Sequence, residues 1–477
     1  MVHLNLIDGE WLGGQDCVEN INPSDTREVV GLYARANAQQ TESAIAAASA
    51  AFPAWSRSGV LQRHSILKKT ADEISARKDE LGALLAREEG KTLVEAVAEI
   101  VRASQVFDFF AAESLRLAGQ VLPSVRPNIG IEITREPLGP IGVITPWNFP
   151  MAIPAWKIAP ALCYGNTIVF KPAELVPGSA WALADILHRA GLPSGVLNLV
   201  MGQGSVVGQT MLNSSELAGI TFTGSASTGR RVAVASLEHH RKIQLEMGGK
   251  NPIVVLDDAD LDIAVDACVN SAFFSTGQRC TAASRLIVTD GIHDRFVQAL
   301  IERLERLNVD HALKTVSHIG PVVDTQQFES NLNYIEIGKQ QGARLAFGGD
   351  CPSRCTPGFY LQPTLFTDAS NAMRICREEI FGPVAAVIRV RDYEEALIVA
   401  NDTPFGLSSG IITTSLKHAS DFKRNAQAGM VMVNLSTAGV DFHVPFGGRK
   451  ASSFGPREQG QYAAEFYTTV KTAYTLA

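Results

Sequence analysis

The chain has 477 residues, of which 46% are hydrophobic and 19% are charged, and its formal net charge at pH 7 is −7. This length exceeds what one ordinary hydrophobic core supports, so the sequence predicts two domains with an appendage. The acidic balance, without any basic block, argues against nucleic acid or an anionic membrane as a partner and favours a small-molecule ligand.

The cysteines and the apolar stretches predict a cytoplasmic protein with no metal site and no membrane anchor. Seven cysteines occur without a repeated CxxC pair, and a chain of this size needs no disulfides, which favours a reducing compartment. Cys351 and Cys355 have neither a second pair nor a nearby histidine, so we expect a loop with two incidental thiols rather than a metal clip. The N-terminus lacks the pattern of a signal peptide, and prolines interrupt the apolar stretch 141–163.

The first 117 residues predict turns followed by a helical layer. An alanine-rich helix is expected over residues 41–51. Further along, Leu93, Val97, Ile100 and Val101 recur at the spacing of one buried helix face. We interpret the charged residues of this layer as a solvated face.

Residues 118–139 predict an exposed β-ribbon, because Ile129, Ile131 and Ile133 alternate with other residue types between proline and glycine signals. The tail from Glu465 to Leu476 is again strand-like. We expect it to pair with this ribbon, either within the chain or across a subunit boundary. Unpaired strand edges promote association, which predicts a homo-oligomer, a dimer or a tetramer.

Two series of alternating strands and helices predict two α/β units with parallel sheets, divided near residue 250. The first series has strands at 141–145, 167–171, 196–201, 220–223 and 253–257, with helices at 179–190 and 225–236. The second has strands near 285–289, 385–390, 409–412 and 430–434, with helices near 294–307 and 393–401.

The stretch 274–282 places Cys280 in a short polar loop marked by Gly277. A thiol attacks carbonyls well only as the thiolate, so a cysteine nucleophile needs a base or a positive charge nearby, and Arg279 is adjacent. A single free cysteine is more often a small buried hydrophobe. The hypothesis that Cys280 is a nucleophile therefore depends on the other motifs.

Two of those motifs supply groups that carbonyl chemistry needs. Asn148, between Pro146 and Pro150, offers an amide donor for an oxygen that gains negative charge, although an Asn in this setting is often a turn residue. Glu246 lies in an apolar, glycine-rich surround, where desolvation would raise its pKa toward that of a general base. The alternative is that Glu246 is merely solvated.

Three further motifs, each after a predicted strand, predict a dinucleotide site. Lys171 and Glu174 offer a cation and a carboxylate to a ribose. Two glycine-rich turns follow, one containing Gly204 and one containing Gly224 and Ser225, and the second leads from a strand into a helix whose free N–H groups suit a phosphate. Neither turn matches GxGxxG, so the prediction depends on the combination.

Taken together, these motifs resemble the aldehyde dehydrogenase superfamily. Glu246 and Cys280 stand 34 residues apart, and the resemblance extends from the N-terminal DGEW to the C-terminal strand, through the segments EEIFGPV (378–384) and PFGG (445–448). It implies an α/β fold with a Rossmann-type cofactor domain (1–117 and 140–248), an α/β catalytic domain (249–450) and a β oligomerisation arm (118–139 and 451–477).

The resemblance also implies residue roles. Cys280 is the nucleophile, Glu246 the general base, and Asn148 forms the oxyanion hole with the backbone N–H of Cys280. The implied cofactor-binding residues are Trp147, Lys171, Glu174, Gly204, Gly224, Ser225, Glu379 and Phe381. We favour NAD over NADP because a carboxylate at Glu174 accepts bonds from a free 2′-hydroxyl and repels a 2′-phosphate, with NADP as the alternative.

For the aldehyde, the resemblance implies a pocket formed by Phe149, Ala152, Ile153, Trp156, Arg279, Thr281 and the loop 435–444. Arg279 suggests a substrate with a distal carboxylate, and the alternative is a structural ion pair. Segments 171–183, 273–282 and 429–450 are similar to the α-ketoglutaric semialdehyde dehydrogenase branch. The alternatives are succinate or glutarate semialdehyde, another aldehyde, or a non-enzymatic binding protein, which the presence of Cys280, Glu246 and Asn148 disfavours.

Overall fold

The computed structural model describes residues 2–476, which form two large β-sheets, two three-stranded sheets and one two-stranded sheet with helices between and around them. The helices are α1 (Ala38–Trp55), α2 (Val60–Ala76), α3 (Lys78–Glu89), α4 (Leu93–Glu113), α5 (Ala152–Cys163), α6 (Pro177–Arg189), α7 (Gln209–Asn213), α8 (Ala226–Glu238), α9 (Leu261–Phe273), α10 (Asp290–Glu305), α11 (Thr325–Gln340), α12 (Arg374–Arg377), α13 (Tyr393–Asn401), α14 (Leu416–Asn425) and α15 (Ala464–Tyr467). The strands are β1 (Val2–His3), β2 (Asn5–Ile7), β3 (Glu10–Leu12), β4 (Asp16–Asn22), β5 (Asp25–Arg35), β6 (Gln120–Pro123), β7 (Ile129–Pro137), β8 (Pro140–Ile144), β9 (Thr167–Lys171), β10 (Leu197–Leu199), β11 (Gly219–Thr223), β12 (Lys242–Glu246), β13 (Asn251–Val255), β14 (Ala283–Thr289), β15 (Arg344–Phe347), β16 (Thr364–Thr367), β17 (Val384–Val390), β18 (Phe405–Gly406), β19 (Ser408–Ile412), β20 (Met430–Val433), β21 (Arg449–Lys450), β22 (Ser453–Phe454) and β23 (Thr468–Leu476).

The first large sheet has the order β22-β12-β11-β8-β9-β10-β2-β3. Its five central strands, β12, β11, β8, β9 and β10, run parallel, and an antiparallel strand pairs at each side of them. β9 is buried along its whole length, which explains its run of apolar and β-branched residues. The predicted α/β fold is confirmed. Strand β12, which ends at Glu246, was missing from the prediction.

The second large sheet has the order β15-β16-β17-β14-β13-β19-β20. All its pairs are parallel except that between β15 and β16. The chain passes from the first sheet to the second in the four residues between β12 and β13. The loop 274–282, called the nucleophile loop after the predicted role of Cys280, connects α9 to β14 of the second sheet.

The ribbon and the tail form a separate three-stranded sheet in the order β23-β7-β6. β23 pairs with β7 in one unbroken antiparallel register, from Thr468 opposite Pro137 to Leu476 opposite Ile129. The pairing is therefore within the chain. The predicted arm segment 451–477 is divided, because β22 joins the edge of the first large sheet through β12.

The helical layer of α2, α3 and α4 differs from the prediction in its charged residues. Glu88, Glu89, Lys91 and Glu99 are buried, so the interpretation of a wholly solvated face was wrong. These buried carboxylates have partners. Glu88 accepts hydrogen bonds from backbone N–H groups in the first turn of α6, and Glu99 forms an ion pair with Lys91 at 2.7 Å. Sequence periodicity identifies the apolar face but not the buried ion pairs that lie beside it.

The structure also bears on the membrane and disulfide predictions. Over residues 2–476, no helix is long and apolar enough to cross a membrane. The seven cysteines are all free, and Cys351 and Cys355 are exposed.

Candidate active site

The motifs found in the sequence converge at the carboxyl ends of the first sheet's parallel strands. The Asn148 motif follows β8, Lys171 ends β9, Ser225 follows β11, and Glu246 ends β12. Ligands gather at this edge of open parallel sheets, because the strand ends leave a crevice there. The second sheet brings the nucleophile loop against the same edge.

The loop before Cys280 has an unusual backbone. Ser275 and Thr276 both have left-handed φ angles, 51° and 58°, although neither is glycine and Thr276 is β-branched. Glu95, from the first turn of α4, accepts hydrogen bonds from the Ser275 backbone N–H at 2.8 Å and from its hydroxyl at 3.1 Å. These bonds hold a conformation that the local sequence does not favour.

Cys280 is fixed from the other side by Asn251. The Asn251 amide donates to the carbonyl oxygens of Cys280, at 2.7 Å, and Ala282, at 2.9 Å. Desolvation, followed by the nearby carboxylates of Glu379 and Glu246, raises the pKa of the Cys280 thiol to about 12. Arg279 therefore does not make this thiol acidic, and the neutral thiol predominates at neutral pH.

Asn148 lies beside the nucleophile loop, as the sequence predicts. Its side-chain amide donates to the backbone carbonyl of Gln278 at 2.9 Å, two residues before Cys280. The buried Lys91 ammonium binds the Asn148 carbonyl at 2.7 Å and so fixes the backbone of this motif. Asn148 therefore contacts the backbone two residues before the thiol, and its amide keeps a second N–H group.

Glu246 is buried at the end of β12 and accepts a hydrogen bond from the Ser453 hydroxyl at 2.5 Å. Burial, followed by the charge of Glu458, raises the pKa of Glu246 well above its ordinary value. Lys157 binds Glu458 in a fully buried ion pair. A raised pKa makes this carboxylate, once deprotonated, a stronger base than an exposed glutamate.

Glu379 connects the EEIFGPV segment to the same region. It accepts a hydrogen bond from the Gly249 backbone N–H at 2.9 Å, and burial raises its pKa to about 7. A Cβ on Gly248 would lie 1.9 Å from the Glu379 carboxylate, so a larger residue there would displace that carboxylate. Trp147 packs edge-to-face on Phe381, with ring centroids 5.3 Å apart, which joins this segment to the Asn148 motif.

A cleft of about 510 Å³ lies at the ends of β9 and β11 and is lined by Lys171, Glu174 and Gly204, three of the predicted cofactor residues. Sequence reasoning missed Arg231 and Thr228 of α8, which also line it. The remaining predicted cofactor residues, Trp147, Gly224, Ser225, Glu379 and Phe381, lie outside this lining.

The residues of this cleft fit the ribose of a dinucleotide. The buried Lys171 ammonium donates to the Pro172 carbonyl at 2.9 Å and has two further donors. One oxygen of Glu174 accepts from the Gly204 backbone N–H at 2.9 Å, which leaves the other oxygen for a hydroxyl group. Ser225 caps α8 by accepting from the Thr228 N–H, so a helix N-terminus faces the same edge.

A second cavity, of about 350 Å³, opens onto Cys280. The predicted substrate residues Phe149, Ala152, Trp156, Arg279 and Thr281 line it, as does the 438–440 part of the predicted loop. Ile153 does not: it is buried in the hydrophobic core. Ala152 and Trp156 are four residues apart and share a face of α5. Ile153, the residue after Ala152, is rotated by about 100° around the helix axis and faces the core.

Arg279 lines this cavity, but its guanidinium is directed toward α9. It donates to the backbone carbonyl of Asn270 and lies 3.5 Å from the side-chain oxygen of the same residue. This geometry favours the structural alternative for Arg279, with a hydrogen bond to Asn270 in place of an ion pair.

Sequence reasoning missed several residues of the cavity wall. Glu95, Glu99 and Arg102 reach it from α4, Phe446 stacks on Trp156, and Gln459 comes from the segment after β22. The signal for the first three was their spacing, i, i+4 and i+7, which puts them on one helix face. Nothing in the sequence near Gln459 connects it to Cys280.

Comparison with known proteins agrees with this geometry. The aldehyde dehydrogenase family model matches residues 11–473. The chain is 44% identical over 476 residues to α-ketoglutaric semialdehyde dehydrogenase of Bacillus subtilis, covering 99% of this chain and 98% of that protein. It is 40% identical to 2,5-dioxopentanoate dehydrogenase of Saccharolobus solfataricus, covering 98% of each.

Among solved structures, betaine aldehyde dehydrogenase of Staphylococcus aureus in complex with NAD+ superposes with a TM-score of 0.97 at 33% identity, covering 99% of this chain and 95% of that one. The family match spans nearly the whole chain and includes the cysteine loop, the buried glutamate and both cavities. The chain therefore belongs to the aldehyde dehydrogenase family.

Proposed function

We propose that this aldehyde dehydrogenase oxidises a small aldehyde that carries a distal carboxylate, with α-ketoglutaric semialdehyde as the favoured substrate and NAD+ as the oxidant. The observation that carries the proposal is the cavity of about 350 Å³ at Cys280, whose wall includes Arg102, a cation with no acidic partner among residues 2–476. The names of the relatives in Bacillus and Saccharolobus support the same substrate. Succinate and glutarate semialdehyde are the next candidates.

In the first step, the Cys280 sulfur adds to the aldehyde carbon and forms a thiohemiacetal. Asn148 and the backbone N–H of Cys280 stabilise the negative oxygen that forms. Asn251 and Glu95 act earlier, by holding the loop in the geometry for attack. Because the thiol pKa is raised to about 12 in the unliganded protein, attack needs a base or the arrival of positive charge.

The cofactor, when bound, supplies the acceptor for the hydride that the thiohemiacetal carbon loses. In our proposal Lys171 and Glu174 hold the adenosine ribose, Ser225 and Trp147 lie along the pyrophosphate, and Glu379 with Phe381 orients the nicotinamide ribose. Gly204 and Gly224 have no side chain, which allows the backbone at these two positions to approach the cofactor closely. Glu174 has a free carboxylate oxygen that suits a 2′-hydroxyl better than a 2′-phosphate, so we favour NAD+ over NADP+.

In the last step, Glu246 removes a proton from water, which attacks the Cys280 thioester and releases the carboxylic acid. The raised pKa of Glu246 makes its carboxyl a stronger base than an exposed glutamate. It must first lose its own proton, so thioester hydrolysis becomes faster as pH rises through that raised pKa. Ser453, which binds Glu246, positions the carboxylate.

We also propose an oligomer that assembles through the sheet of β6, β7 and β23. Its two outer strands, β6 and β23, expose large apolar side chains, including Val121, Leu122, Val470 and Tyr474. Isolated monomers rarely expose apolar rows on an open sheet, because the edges and faces attract further strands.

The unpaired cysteines suit the cytoplasm, where thiols stay reduced.

The test is a steady-state panel with NAD+ and with NADP+. The aldehydes are 2,5-dioxopentanoate, succinate semialdehyde, glutarate semialdehyde, pentanal and benzaldehyde. We expect the acid-bearing aldehydes to have the highest kcat/KM, with 2,5-dioxopentanoate first and NAD+ preferred. A clear preference for pentanal or benzaldehyde would refute the substrate proposal while leaving the family membership intact.

A further inference from the structure

The cavity at Cys280 has an excess of hydrogen-bond donors on its wall. Four N–H groups that belong to lining residues are buried and have no partner in the described part of the chain: Arg102 Nη1, Trp156 Nε1, Arg279 Nε and Gln459 Nε2. The corresponding buried acceptor is a single atom, Gln459 Oε1. Buried polar groups are normally paired, so this wall is complementary to a ligand rich in acceptor oxygens.

The acidic residues of the same wall do not oppose an anion, since their oxygens are already engaged. Glu95 accepts from Ser275 with one oxygen and from Thr92 with the other. Glu99 accepts from the Met151 and Ala152 N–H groups with one oxygen and binds the Lys91 ammonium with the other. The N–H groups that remain free are those of the two arginines, Trp156 and Gln459.

Of the two arginines, Arg102 is the one with a free guanidinium. Arg279 directs its end nitrogens to Asn270 and retains only Nε. Within residues 2–476, Arg102 forms no hydrogen bond or ion pair, and its guanidinium carbon lies 5.8 Å from the Phe442 ring centroid. A planar guanidinium with two free N–H groups on one edge binds a carboxylate in a bidentate manner.

Gln459 is the second unusual residue. It is 1% exposed, both polar atoms of its amide lack protein partners, and its φ of 62° is left-handed. Such backbone strain in a non-glycine residue persists where the surroundings demand one side-chain position. Its neighbour Glu458 forms the buried ion pair with Lys157 of α5, which fixes Gln459 against the cavity.

We infer that Arg102 and Gln459 determine substrate specificity, with Arg102 binding the distal carboxylate of the aldehyde and Gln459 donating its amide N–H to an oxo group beside that carboxylate. This inference rests on the proposed function and names the residues that select its substrate. Arg102 lies seven residues from Glu95 along α4, about 10 Å of helix, and Glu95 contacts the nucleophile loop. Arg102 and Cys280 line the same cavity, so one small aldehyde can contact both groups.

The experiment compares wild type with Arg102→Gln, Arg102→Lys and Gln459→Met on three five-carbon aldehydes: 2,5-dioxopentanoate, glutarate semialdehyde and pentanal. Glutarate semialdehyde lacks only the 2-oxo group, and pentanal lacks the carboxylate as well. Arg116→Gln is the matched control for loss of one positive charge, because Arg116 is exposed just beyond α4. Retained oxidation of pentanal shows that each variant is folded.

For Arg102→Gln we expect kcat/KM to fall about 10- to 100-fold on both acid-bearing aldehydes and to stay within about threefold on pentanal. Arg102→Lys should recover part of the loss. For Gln459→Met we expect a loss of about tenfold on 2,5-dioxopentanoate alone. Equal losses on all three aldehydes, or no loss, would overturn the assignment.

A second measurement separates this inference from the proposed function. Glutarate and 2-oxoglutarate are tested as inhibitors of pentanal oxidation, which does not depend on the enzyme preferring acid-bearing substrates. Arg102→Gln should raise both inhibition constants at least about tenfold, and Gln459→Met only that of 2-oxoglutarate. If wild type prefers pentanal but these shifts occur, the substrate proposal fails and the anion site stands. Unchanged inhibition constants would overturn the anion site.

Discussion

The nucleophile loop depends on Glu95, and Glu95→Ala is the substitution that tests this dependence. Ser275 and Thr276 hold left-handed backbone conformations directly before Gly277 and Cys280. One oxygen of Glu95 accepts two hydrogen bonds from Ser275, at 2.8 and 3.1 Å. Alanine removes both bonds and leaves the two strained residues free to relax.

The magnitude follows from these contacts. Each left-handed residue costs about 1 to 3 kcal/mol, and each hydrogen bond to a carboxylate contributes about 1.5 to 3 kcal/mol, so Glu95 roughly offsets the strain of the loop. Without it, we expect the competent loop conformation to become less populated by about 3 kcal/mol. That difference corresponds to a fall in kcat on the order of 100-fold.

The assay is the rate of the first turnover, followed as nicotinamide reduction after mixing with excess aldehyde, alongside the dissociation constant of NAD+. The control is Ser415→Ala, which removes the side-chain cap of α14 and costs about 1 kcal/mol of stability without touching Glu95 or Ser275. We expect Glu95→Ala to lose the fast first turnover and to bind NAD+ normally, while Ser415→Ala keeps its rate within about threefold. A Glu95→Ala enzyme as fast as Ser415→Ala would refute this account of the loop.

Three further predictions concern cofactor choice, thiol ionisation and the buried ion pair. Glu174→Gln removes the carboxylate that opposes a 2′-phosphate, so the kcat/KM ratio of NADP+ to NAD+ should rise about tenfold, and a constant ratio would contradict this. Because the Cys280 pKa is raised to about 12, its alkylation by iodoacetamide in the unliganded protein should keep accelerating, about tenfold per pH unit, from pH 7 to 10, and a plateau below pH 9 would exclude the raised pKa. Lys91→Met leaves Glu99 as a buried charge without its cation, so the free energy of unfolding should fall by about 3 to 5 kcal/mol. An unchanged denaturation midpoint would show that the buried ion pair does not stabilise the fold.

The sequence predicted the alternating strands and helices and the residues at the strand ends, because these depend on local patterns. Asn148, Lys171, Ser225 and Glu246 each follow or end a strand of the first sheet, where such residues meet regardless of loop detail. The domain boundaries and residue roles drawn from the family resemblance stay predictions that the proposed experiments address.

The parts that the sequence did not predict depend on packing between distant segments. The polar stripe of α4 was interpreted as solvated, yet α5 and the nucleophile loop cover it, so Glu95, Glu99 and Arg102 face a cavity. Arg279 was assigned by its position next to Cys280, but the direction of its side chain depends on Asn270, nine residues earlier on α9. Gln459 comes from a segment more than 170 residues after Cys280.

The central claim is that oxidation proceeds through a thioester on Cys280 that Glu246 then helps to hydrolyse. The most direct test is to mix Glu246→Gln with NAD+ and 2,5-dioxopentanoate, quench with acid, and examine the peptide that contains Cys280 by mass spectrometry. We expect one reduced nicotinamide per active site and one acyl group, the oxidised substrate, attached to Cys280. Steady turnover at the wild-type rate, or an acyl group on another residue, would contradict the account.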